Sequence, residues 1–341
     1  MKTSDFDYFL PKELIAQDPL DKRDMSRLLT YDSSSNDVSH KQFFELRKLL
    51  RKGDVLVVNR SKVIPARILF DVDGRECELF LLKKVEEGKY QVMVKPGKVF
   101  KEGAKFKIND GLSCEVEAVL DDGTRVVEFI GGEDAVEKAG VTPLPPYITG
   151  SHARADQYQT VYAEEEGSVA APTAGLHFTD GLLNELREMG VQIEEVVLHV
   201  GRGTFLPVKA DNIKDHVMHE EGFEMSAEVA EVLNKAKSEG QRIVAVGTTS
   251  VRVLETCRVD GKFVPRVSST DIFIYPGYKW KGVDALITNF HLPKSTLLML
   301  VSSFLENKGV ENPVERLLEL YEIAKSEKYR FYSFGDAMFI F

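Results

Sequence analysis

The stretch Ala171–Thr179, APTAGLHFT, surrounds one histidine, His177, with small residues. The unperturbed pKa of histidine lies near neutrality, so His177 could take up or release a proton at physiological pH. Its neighbours Ala174 and Gly175 have little side-chain bulk, which would leave room for a substrate beside the imidazole. We therefore expect acid–base chemistry at His177. The alternative is a histidine that only holds its loop through backbone hydrogen bonds.

Two further loops carry polar groups directly after predicted strands. These groups are Thr248, Thr249, Ser250 and Arg252 in GTTSVR, and Asn289 and His291 in NFHLPKST. Ligands of open α/β sheets bind beyond the carboxyl ends of the strands, and a helix N-terminus favours an anion. The alternative is two plain helix starts, with Ser250 as an N-cap and His291 as a structural histidine.

The segment HVMHEE places His216 and His219 next to Glu220. Such donors could serve a metal-dependent hydrolase, but the spacing is neither HExxH nor another established zinc pattern, so we expect no metal. Gly201 and Gly203 form only a fragment of the dinucleotide-binding glycine pattern. They better suit a close approach of the backbone to a ligand.

The composition is typical of a soluble globular protein, with 341 residues, 43% hydrophobic and 29% charged. A net charge of −10 argues mildly against nucleic acid as a partner, but the charge is uneven. Lys41–Arg67 has eight Lys/Arg against two acids, net +6, and Lys83–Lys107 has eight lysines against three glutamates, net +5. Asp110–Glu137 has nine acids against one arginine, net −8. Such a surface could bind a polyanion locally, although ordinary solvated faces would explain it too.

The first residues, MKTSDFDYF, lack the apolar core of a secretory signal. The longest apolar stretch, Thr296–Leu305, is far shorter than the roughly 20 residues that span a bilayer. Cys77, Cys114 and Cys257 form no CxxC pair and suit a reducing compartment. We therefore expect a cytoplasmic protein without membrane contact.

The pattern of elements predicts an α/β layered domain with an inserted small antiparallel β-barrel domain. Short β-rich runs separated by turn sequences such as NDG and DDG occupy the segment from about Asp71 to Gly150. Strands alternate with helices outside it, as in RIVAVG followed by SVRVLETC. We therefore assign residues 1–70 plus 150–341 to the α/β domain and residues 71–149 to the barrel.

Local signals mark several element boundaries. Ser226 and Ser295 are predicted N-caps, and Pro313 is predicted as the first residue of the last helix. Ser39–Gln42 has the form of a capping box before a helix over FFELRKLLRK. The run DVLVVN, which ends at Asn59, is predicted as a buried strand.

Long segments spread from Asp7 to Met338 resemble the S-adenosylmethionine:tRNA ribosyltransferase-isomerase family. They include VAAPTAGLHFT, LHVGRGTF, AVGTTSVR, LITNFHLPKSTLLMLVS and YRFYSFGDAM, in the order of the family. The chain departs from the family at Asn59–Lys62, where Asn-Arg-Ser-Lys replaces the usual Asn-Asp/Asn-Thr-Arg before VIPAR. The segment SHARADQ, before YQTVYA, also looks altered. The resemblance implies an α/β domain paired with a β-barrel.

The resemblance also implies a reaction. The ribosyl moiety of S-adenosylmethionine would be transferred to 7-aminomethyl-7-deazaguanine at the wobble position of tRNA and isomerised to epoxyqueuosine, with release of adenine and methionine. S-adenosylmethionine is then a co-substrate and tRNA a partner, without a prosthetic group. On this basis we expect His177, His291 and Asp271 to be catalytic.

The remaining site predictions fall into two groups. We expect the substrate to contact Thr248, Thr249, Ser250, Arg252, Asn289, Gly201, Gly203 and Asp336. We expect RNA phosphates to contact Arg60, Lys62, Arg67, Lys95 and Lys98. We also expect a monomer. The competing classes are the metal-dependent hydrolase, a non-catalytic tRNA-binding barrel that needs only Lys83–Lys107, and an ordinary tRNA methyltransferase.

Overall fold

The structure, a computed structural model, describes residues 1–201, 208 and 210–341. The chain forms two compact units. The first, here called the α/β unit, comprises Met1–Ser61, Pro145–Glu165 and Ala171–Phe341. The second, here called the small unit, comprises Lys62–Leu144 and Glu166–Ala170.

The strands of the described residues are numbered in chain order. They are β1 Arg27–Asp32, β2 Asp37–Gln42, β3 Val55–Asn59, β4 Ser61–Val63, β5 Arg67–Val72, β6 Arg75–Glu86, β7 Lys89–Lys95, β8 Lys105–Asn109, β9 Leu112–Val119, β10 Arg125–Ile130, β11 Gly140–Val141, β12 Glu165–Ser168, β13 Gln192–Leu198, β14 Glu221–Met225, β15 Ile243–Val246, β16 Arg258–Val259, β17 Lys262–Phe263, β18 Arg266–Thr270, β19 Ala285–Asn289 and β20 Ala337–Ile340.

The α-helices of the same residues are α1 Glu133–Ala139, α2 Asp180–Glu188, α3 Ala227–Ser238, α4 Gly247–Cys257, α5 Thr296–Asn307 and α6 Pro313–Ser326. Short 3-10 helices cover Thr3–Phe6, Lys12–Leu14, Arg23–Met25, Phe43–Lys48, Ala155–Tyr158, Thr173–His177 and Ile213–Asp215. In the part of the chain that these elements describe, no helix has the length and apolar character needed to cross a membrane.

The α/β unit contains a nine-stranded mixed sheet with the order β18-β14-β13-β3-β15-β19-β20-β1-β2. Its central strands β13, β3, β15 and β19 run parallel; Val55 pairs with Ile243, and Val244 pairs with Ala285. Every residue of β3, β15 and β19 is buried, as expected for parallel strands covered on both faces. The fold of the chain is therefore mixed α/β, and the predicted buried strand that ends at Asn59 is confirmed.

Three predicted helix starts are confirmed. The side chain of Ser226 accepts a hydrogen bond from Val229 N, and that of Ser295 accepts one from Leu298 N. Each cap satisfies a backbone N–H that has no partner within its own helix. Pro313 occupies the first turn of α6.

The capping box predicted at Ser39–Gln42 is wrong, and the helix predicted over FFELRKLLRK forms only as a short 3-10 helix. Ser39–Gln42 belongs to β2, which pairs with β1 so that Leu29 lies opposite His40. The turn that follows is the short 3-10 helix Phe43–Lys48, and Glu45 Oε2 accepts a hydrogen bond from Gln42 N at 3.1 Å. The capping interaction therefore starts three residues later than predicted, because strand pairing engages the earlier residues.

The small unit contains a seven-stranded antiparallel sheet with the order β11-β5-β6-β7-β10-β9-β8. It surrounds a core of its own, which includes Phe100, Val116 and Phe129. The sheet curls so far that Phe70 of β5 contacts Phe106 of β8, with ring centroids 6.0 Å apart. A two-stranded sheet pairs β4 with β12.

Candidate functional site

Polar groups meet at the carboxyl edge of the parallel strands in the α/β unit. Strand β15 ends at Val246, and Gly247 follows with φ of 81°, a conformation that favours glycine. Helix α4 begins at Gly247. Strand β19 runs parallel to β15 and ends at Asn289, so this amide lies at the same edge as the first turn of α4.

His177 reaches this edge from the end of the short 3-10 helix Thr173–His177, and only 4% of its surface is exposed. Its Nδ1 lies 2.7 Å from Ser26 Oγ, and its Nε2 lies 3.2 Å from Asn289 Nδ2. Thr173 Oγ1 donates to Asn289 Oδ1 at 2.8 Å, which orients the amide so that Nδ2 donates to His177 Nε2. The proton of the neutral ring therefore lies on Nδ1, which donates to Ser26.

The surroundings of His177 keep its imidazole neutral. Burial lowers the pKa of His177 to about 3, and the guanidinium groups of Arg330 and Arg23 act in the same direction. The ring of Phe43 packs against the imidazole with centroids 4.9 Å apart. In the free protein His177 is therefore a neutral imidazole of low basicity and not an imidazolium donor.

The room that Gly175 provides is filled by protein side chains, so the space for a substrate expected from that glycine does not lie there. Ala174 belongs to the hydrophobic core of the α/β unit. Gly175 faces Tyr162 and Thr160. A Cβ added at Gly175 would overlap the Tyr162 hydroxyl and lie 2.8 Å from Thr160 Cγ2. The tyrosine and the threonine therefore occupy the room that glycine provides.

His291 follows the end of β19 and is also buried. Its Nε2 lies 2.7 Å from Thr288 Oγ1, and its backbone N–H donates to Tyr321 Oη at 2.9 Å. Its carbonyl accepts a hydrogen bond from Tyr8 Oη at 2.5 Å. Burial lowers the pKa of His291 to about 3. The ring is therefore neutral and fixed close to Asn289.

The hydroxyls at the start of α4 differ in their environment. Ser250 Oγ donates to Val246 O at 2.8 Å from within the helix, so the alternative in which Ser250 is the N-cap is wrong. Thr248 is buried. Thr249 Oγ1 is buried and has no hydrogen-bond partner among the described residues. Because a buried unpaired hydroxyl is destabilising, Thr249 is the hydroxyl of this turn best placed to bind a ligand.

Arg252, also on α4, forms a buried ion pair with Glu221; their side chains are 8% and 5% exposed. The guanidinium also donates to Thr270 O at 3.2 Å, while its Nε has no partner within the described part of the chain. Glu221 Oε1 accepts a hydrogen bond from Gly201 N at 2.7 Å. The pair thus links Gly201 to α4 and leaves the Nε–H of Arg252 for a ligand.

A cavity beside this pair, here called the Arg252 cavity, has largely apolar walls. Its lining includes Phe273, Leu292 and His216, together with Ser295 at the N-terminus of α5. The rings of His216 and Phe273 pack with centroids 5.4 Å apart. Apolar walls with one guanidinium and a helix N-terminus suit a ligand that combines an apolar part with an anionic group.

A second cavity, here called the Arg23–Arg330 cavity, lies beside His177. Besides the two arginines, its lining includes Ser26, His177 and Ser333. The sequence analysis gave no role to Arg23 or Arg330. Arg330 lies in YRFYSFGDAM, a segment that carried the resemblance, and this was the signal that could have pointed to it.

The other predicted site residues are dispersed. Asp336 is buried and accepts hydrogen bonds from Arg27 N at 2.9 Å and Arg330 N at 2.8 Å, and burial raises its pKa. Asp271 is exposed at the end of β18, next to residues of the Arg252 cavity. Gly203 lies outside the described residues.

The five cations predicted to contact RNA divide into two sets. Three form ion pairs: Arg60 with Glu164 at 3.4 Å, Lys62 with Glu166 at 2.8 Å, and Arg67 with Glu78 at 3.1 Å. The other two, Lys95 and Lys98, are exposed and form no ion pair with any described residue. The second set is therefore freer to bind phosphate.

The residues of the metal alternative do not converge. His216 and His219 line the Arg252 cavity, whereas Glu220 accepts a hydrogen bond from Ser269 Oγ at 3.0 Å. Across the described ranges, no group of three or more His, Cys, Asp or Glu side chains could hold a metal ion. The hydrolase alternative therefore has no donor set in that part of the chain.

Known proteins resemble this chain from end to end. The family described as queuosine biosynthesis protein matches residues 3–340. S-adenosylmethionine:tRNA ribosyltransferase-isomerases from Acetivibrio thermocellus and Carboxydothermus hydrogenoformans are 50% and 51% identical to it, each over 100% of both chains. The crystal structure of S-adenosylmethionine tRNA ribosyltransferase from Thermotoga maritima is 38% identical, with a TM-score of 0.57 over 99% of this chain and 100% of that one. The chain therefore belongs to the queuosine biosynthesis protein family.

Proposed function

We propose that this protein is an S-adenosylmethionine:tRNA ribosyltransferase-isomerase. It transfers the ribosyl moiety of S-adenosylmethionine to 7-aminomethyl-7-deazaguanine at the tRNA wobble position and isomerises it to epoxyqueuosine. The observation that carries this proposal is the identity of 50% to relatives of that name over the full length of both chains.

The chemistry sets requirements for the side chains. The sulfonium acidifies the adjacent 5′ carbon, so a base must take a proton from it. The neutral amine of the deazaguanine forms a bond to a ribosyl carbon, while adenine and methionine leave and adenine takes a proton. Proton-transfer groups must therefore lie beside a pocket that holds a nucleoside and an amino acid.

His177 is the proton acceptor in this proposal. Its neutral ring has Nε2 turned towards Asn289 Nδ2 at 3.2 Å, and in the proposal the substrate replaces Asn289 as the partner of Nε2. Ser26 holds the Nδ1 proton and fixes the tautomer. His291 and Asp271 are the proposed further catalytic groups, placed by the end of β19 and the end of β18.

The first turn of α4 and the Arg252 cavity are the proposed binding site for S-adenosylmethionine. Direct contacts are supported at Thr249 Oγ1 and Arg252 Nε, two buried polar atoms that have no partner in the described part of the chain. The remaining proposed substrate contacts are Thr248, Ser250, Asn289, Gly201, Gly203 and Asp336. Among these, Ser250 and Asp336 act through the backbone groups that their side chains bind.

The tRNA binds in part through the small unit, where Lys95 and Lys98 contact phosphates. Arg60, Lys62 and Arg67 contribute after exchanging their carboxylate partners for phosphate. The small unit acts as the inserted barrel domain, and the α/β unit carries the chemistry. The protein works as a cytoplasmic monomer.

Product analysis tests the reaction. The protein is incubated with S-adenosylmethionine and tRNA that carries 7-aminomethyl-7-deazaguanine, and released adenine and methionine are quantified against tRNA with an unmodified wobble guanine. We expect equal amounts of adenine and methionine, released only with the modified tRNA. Release of S-adenosylhomocysteine with a methylated base would make the protein a methyltransferase and overturn the proposal.

Thr249→Val tests the binding site. Valine matches the shape of threonine and removes a hydroxyl that has no partner among the described residues of the free protein. We expect the stability of the free protein to be unchanged or higher and the KM for S-adenosylmethionine to rise about 10-fold, as for a lost hydrogen bond to a charged group. An unchanged KM would remove Thr249 from the site. Thr256→Val, on the same helix with its hydroxyl bound to Thr270, is the control.

A further inference from the structure

The Arg23–Arg330 cavity carries an excess of positive charge. The described residues of its lining include both guanidinium groups, while the remainder are uncharged or, like His177, neutral. Two half-buried guanidinium groups at one cavity repel each other and lose hydration, which is costly unless an anion compensates them. This distribution of charge is that expected of an anion site.

Neutral groups hold Arg23 in place. Its Nη1 donates to Gln159 O at 2.5 Å and its Nη2 to Asp156 O at 3.0 Å. The Asp156 carboxylate is itself bound by Arg154, at 3.0 and 2.9 Å. Burial lowers the pKa of Arg23, which reflects the cost of a charge that its own surroundings compensate only weakly.

Arg330 is compensated only in part. Its Nη1 donates to Asp18 O at 3.3 Å, and its Nε forms an ion pair of 3.8 Å with Asp336 Oδ1, which leaves its remaining N–H groups without a carboxylate. Gly335 allows the turn that fixes the arginine, because a Cβ there would lie 2.5 Å from Arg330 O. Both arginines therefore keep N–H donors for a ligand.

A fixed hydroxyl completes the lining. Ser333 is 5% exposed, and its Oγ lies 2.7 Å from Tyr147 Oη. The tyrosine packs against Tyr332 with ring centroids 4.6 Å apart. The hydroxyl is thus held in place at the cavity that contains the two guanidinium groups.

We propose that Arg23, Arg330 and Ser333 form a binding site for an anionic oxygen group of a substrate, carboxylate or phosphate, directly beside His177. Guanidinium groups match both anions through paired N–H donors. A bound anion offsets the two positive charges next to the imidazole. It therefore favours the imidazolium that forms when His177 accepts a proton.

Which substrate supplies the anion depends on the proposed function, whereas the evidence for the anion site itself does not. In the proposed reaction the candidates are the carboxylate of the methionyl group of S-adenosylmethionine and a phosphate of the tRNA. Both bring negative charge to the same guanidinium groups, so binding measurements with the two substrates distinguish them.

Titration of the wild-type protein with inorganic phosphate tests the site itself. The imidazole signals of His177 are followed by NMR and assigned by their loss in His177→Gln. We expect saturable shifts of these signals and a higher pKa of His177 with phosphate bound, with both effects absent in Arg23→Gln/Arg330→Gln. Weak phosphate binding without any effect on His177 would mean an adventitious ion only and would overturn the proposal.

Substrate binding identifies the anion. If the carboxylate binds here, decarboxylated S-adenosylmethionine binds the wild type about 10-fold to 100-fold more weakly than S-adenosylmethionine does. Arg330→Gln then abolishes the difference. If a tRNA phosphate binds here, Arg23→Gln and Arg330→Gln each leave S-adenosylmethionine binding unchanged. Each then lowers the slope of log affinity for tRNA against log salt concentration by about 0.7 to 0.9.

Arg27→Gln is the matched control, because Arg27 is similarly half-buried but pairs with Glu327 and does not line the cavity. Arg330→Lys keeps the charge without the paired donors and should retain part of the effect if the site binds an anion. Variants that bind both substrates as Arg27→Gln does would overturn the proposal. Phosphate-dependent shifts of the His177 NMR signals in a protein that does not transfer the ribosyl moiety would support the anion site and refute the proposed function. Ribosyl transfer without these shifts would support the proposed function and refute the anion site.

Discussion

The buried, neutral state of His177 predicts a defined pH dependence of stability. The pKa of His177 is about 3 in the folded protein, whereas that of an unfolded histidine is about 6.5. Between these values the unfolded chain binds a proton that the folded chain does not. The free energy of unfolding therefore falls as the pH falls through this window, and the contribution is fully restored above pH of about 7.

The magnitude follows from the two pKa values. Each pH unit between them is worth about 1.4 kcal/mol, so His177 lowers the free energy of unfolding by about 2 kcal/mol between pH 7 and pH 5. His177→Gln also loses the hydrogen bonds to Ser26 and Asn289, but that loss does not depend on pH. The stability difference between wild type and variant should therefore shrink by about 2 kcal/mol over this range.

Urea unfolding of both proteins at pH 7 and pH 5 measures this difference. Carboxylates titrate in both proteins, so their contributions to the free energy of unfolding cancel in the comparison. His152→Gln, at an exposed histidine of the same unit, is the control and should show no comparable change. A constant difference between wild type and His177→Gln, with an NMR titration of His177 centred near pH 6.5, would refute a buried neutral imidazole.

Two further predictions concern packing and RNA contact. Gly175→Ala should lower the free energy of unfolding by about 1 to 3 kcal/mol, because the added Cβ overpacks against Tyr162. Tyr162→Phe removes a hydroxyl that has no described partner and should restore part of this stability. Strict additivity of the two changes in a urea double-mutant cycle would contradict a contact between residues 175 and 162. The double variant Lys95→Gln/Lys98→Gln should reduce the slope of log affinity for tRNA against log salt concentration by about 1.4 to 1.8. Lys62→Gln should reduce this slope by less per lysine, because Lys62 already pairs with Glu166. Equal effects per lysine in filter binding would contradict this ranking.

Local signals in the sequence predicted the elements that build the edge of the sheet. β19 follows from the apolar run VDALITNF, and α5 follows from a serine cap at Ser295. Both depend on neighbours within a few residues, which a sequence displays directly. The failure at Ser39–Gln42 has the opposite cause, because pairing with β1 outweighs a local capping pattern.

Long-range contacts account for what the sequence did not reveal about the site. His177 takes its tautomer from Ser26 and Asn289, which lie 151 and 112 residues away. Arg23 and Arg330 meet at one cavity from opposite ends of the chain. Gly175 suggested an open space near His177, and only the packing of Tyr162 shows that it is filled.

Label transfer from S-adenosylmethionine distinguishes ribosyl transfer from methyl transfer. The co-substrate carries ¹³C in the ribosyl carbons in one experiment and in the methyl group in another, and the wobble nucleoside of the modified tRNA is analysed by mass spectrometry. We expect the ribosyl label to enter the nucleoside and the methyl label to leave with methionine. Entry of the methyl label, or of neither label while S-adenosylmethionine and tRNA both bind, would contradict ribosyl transfer.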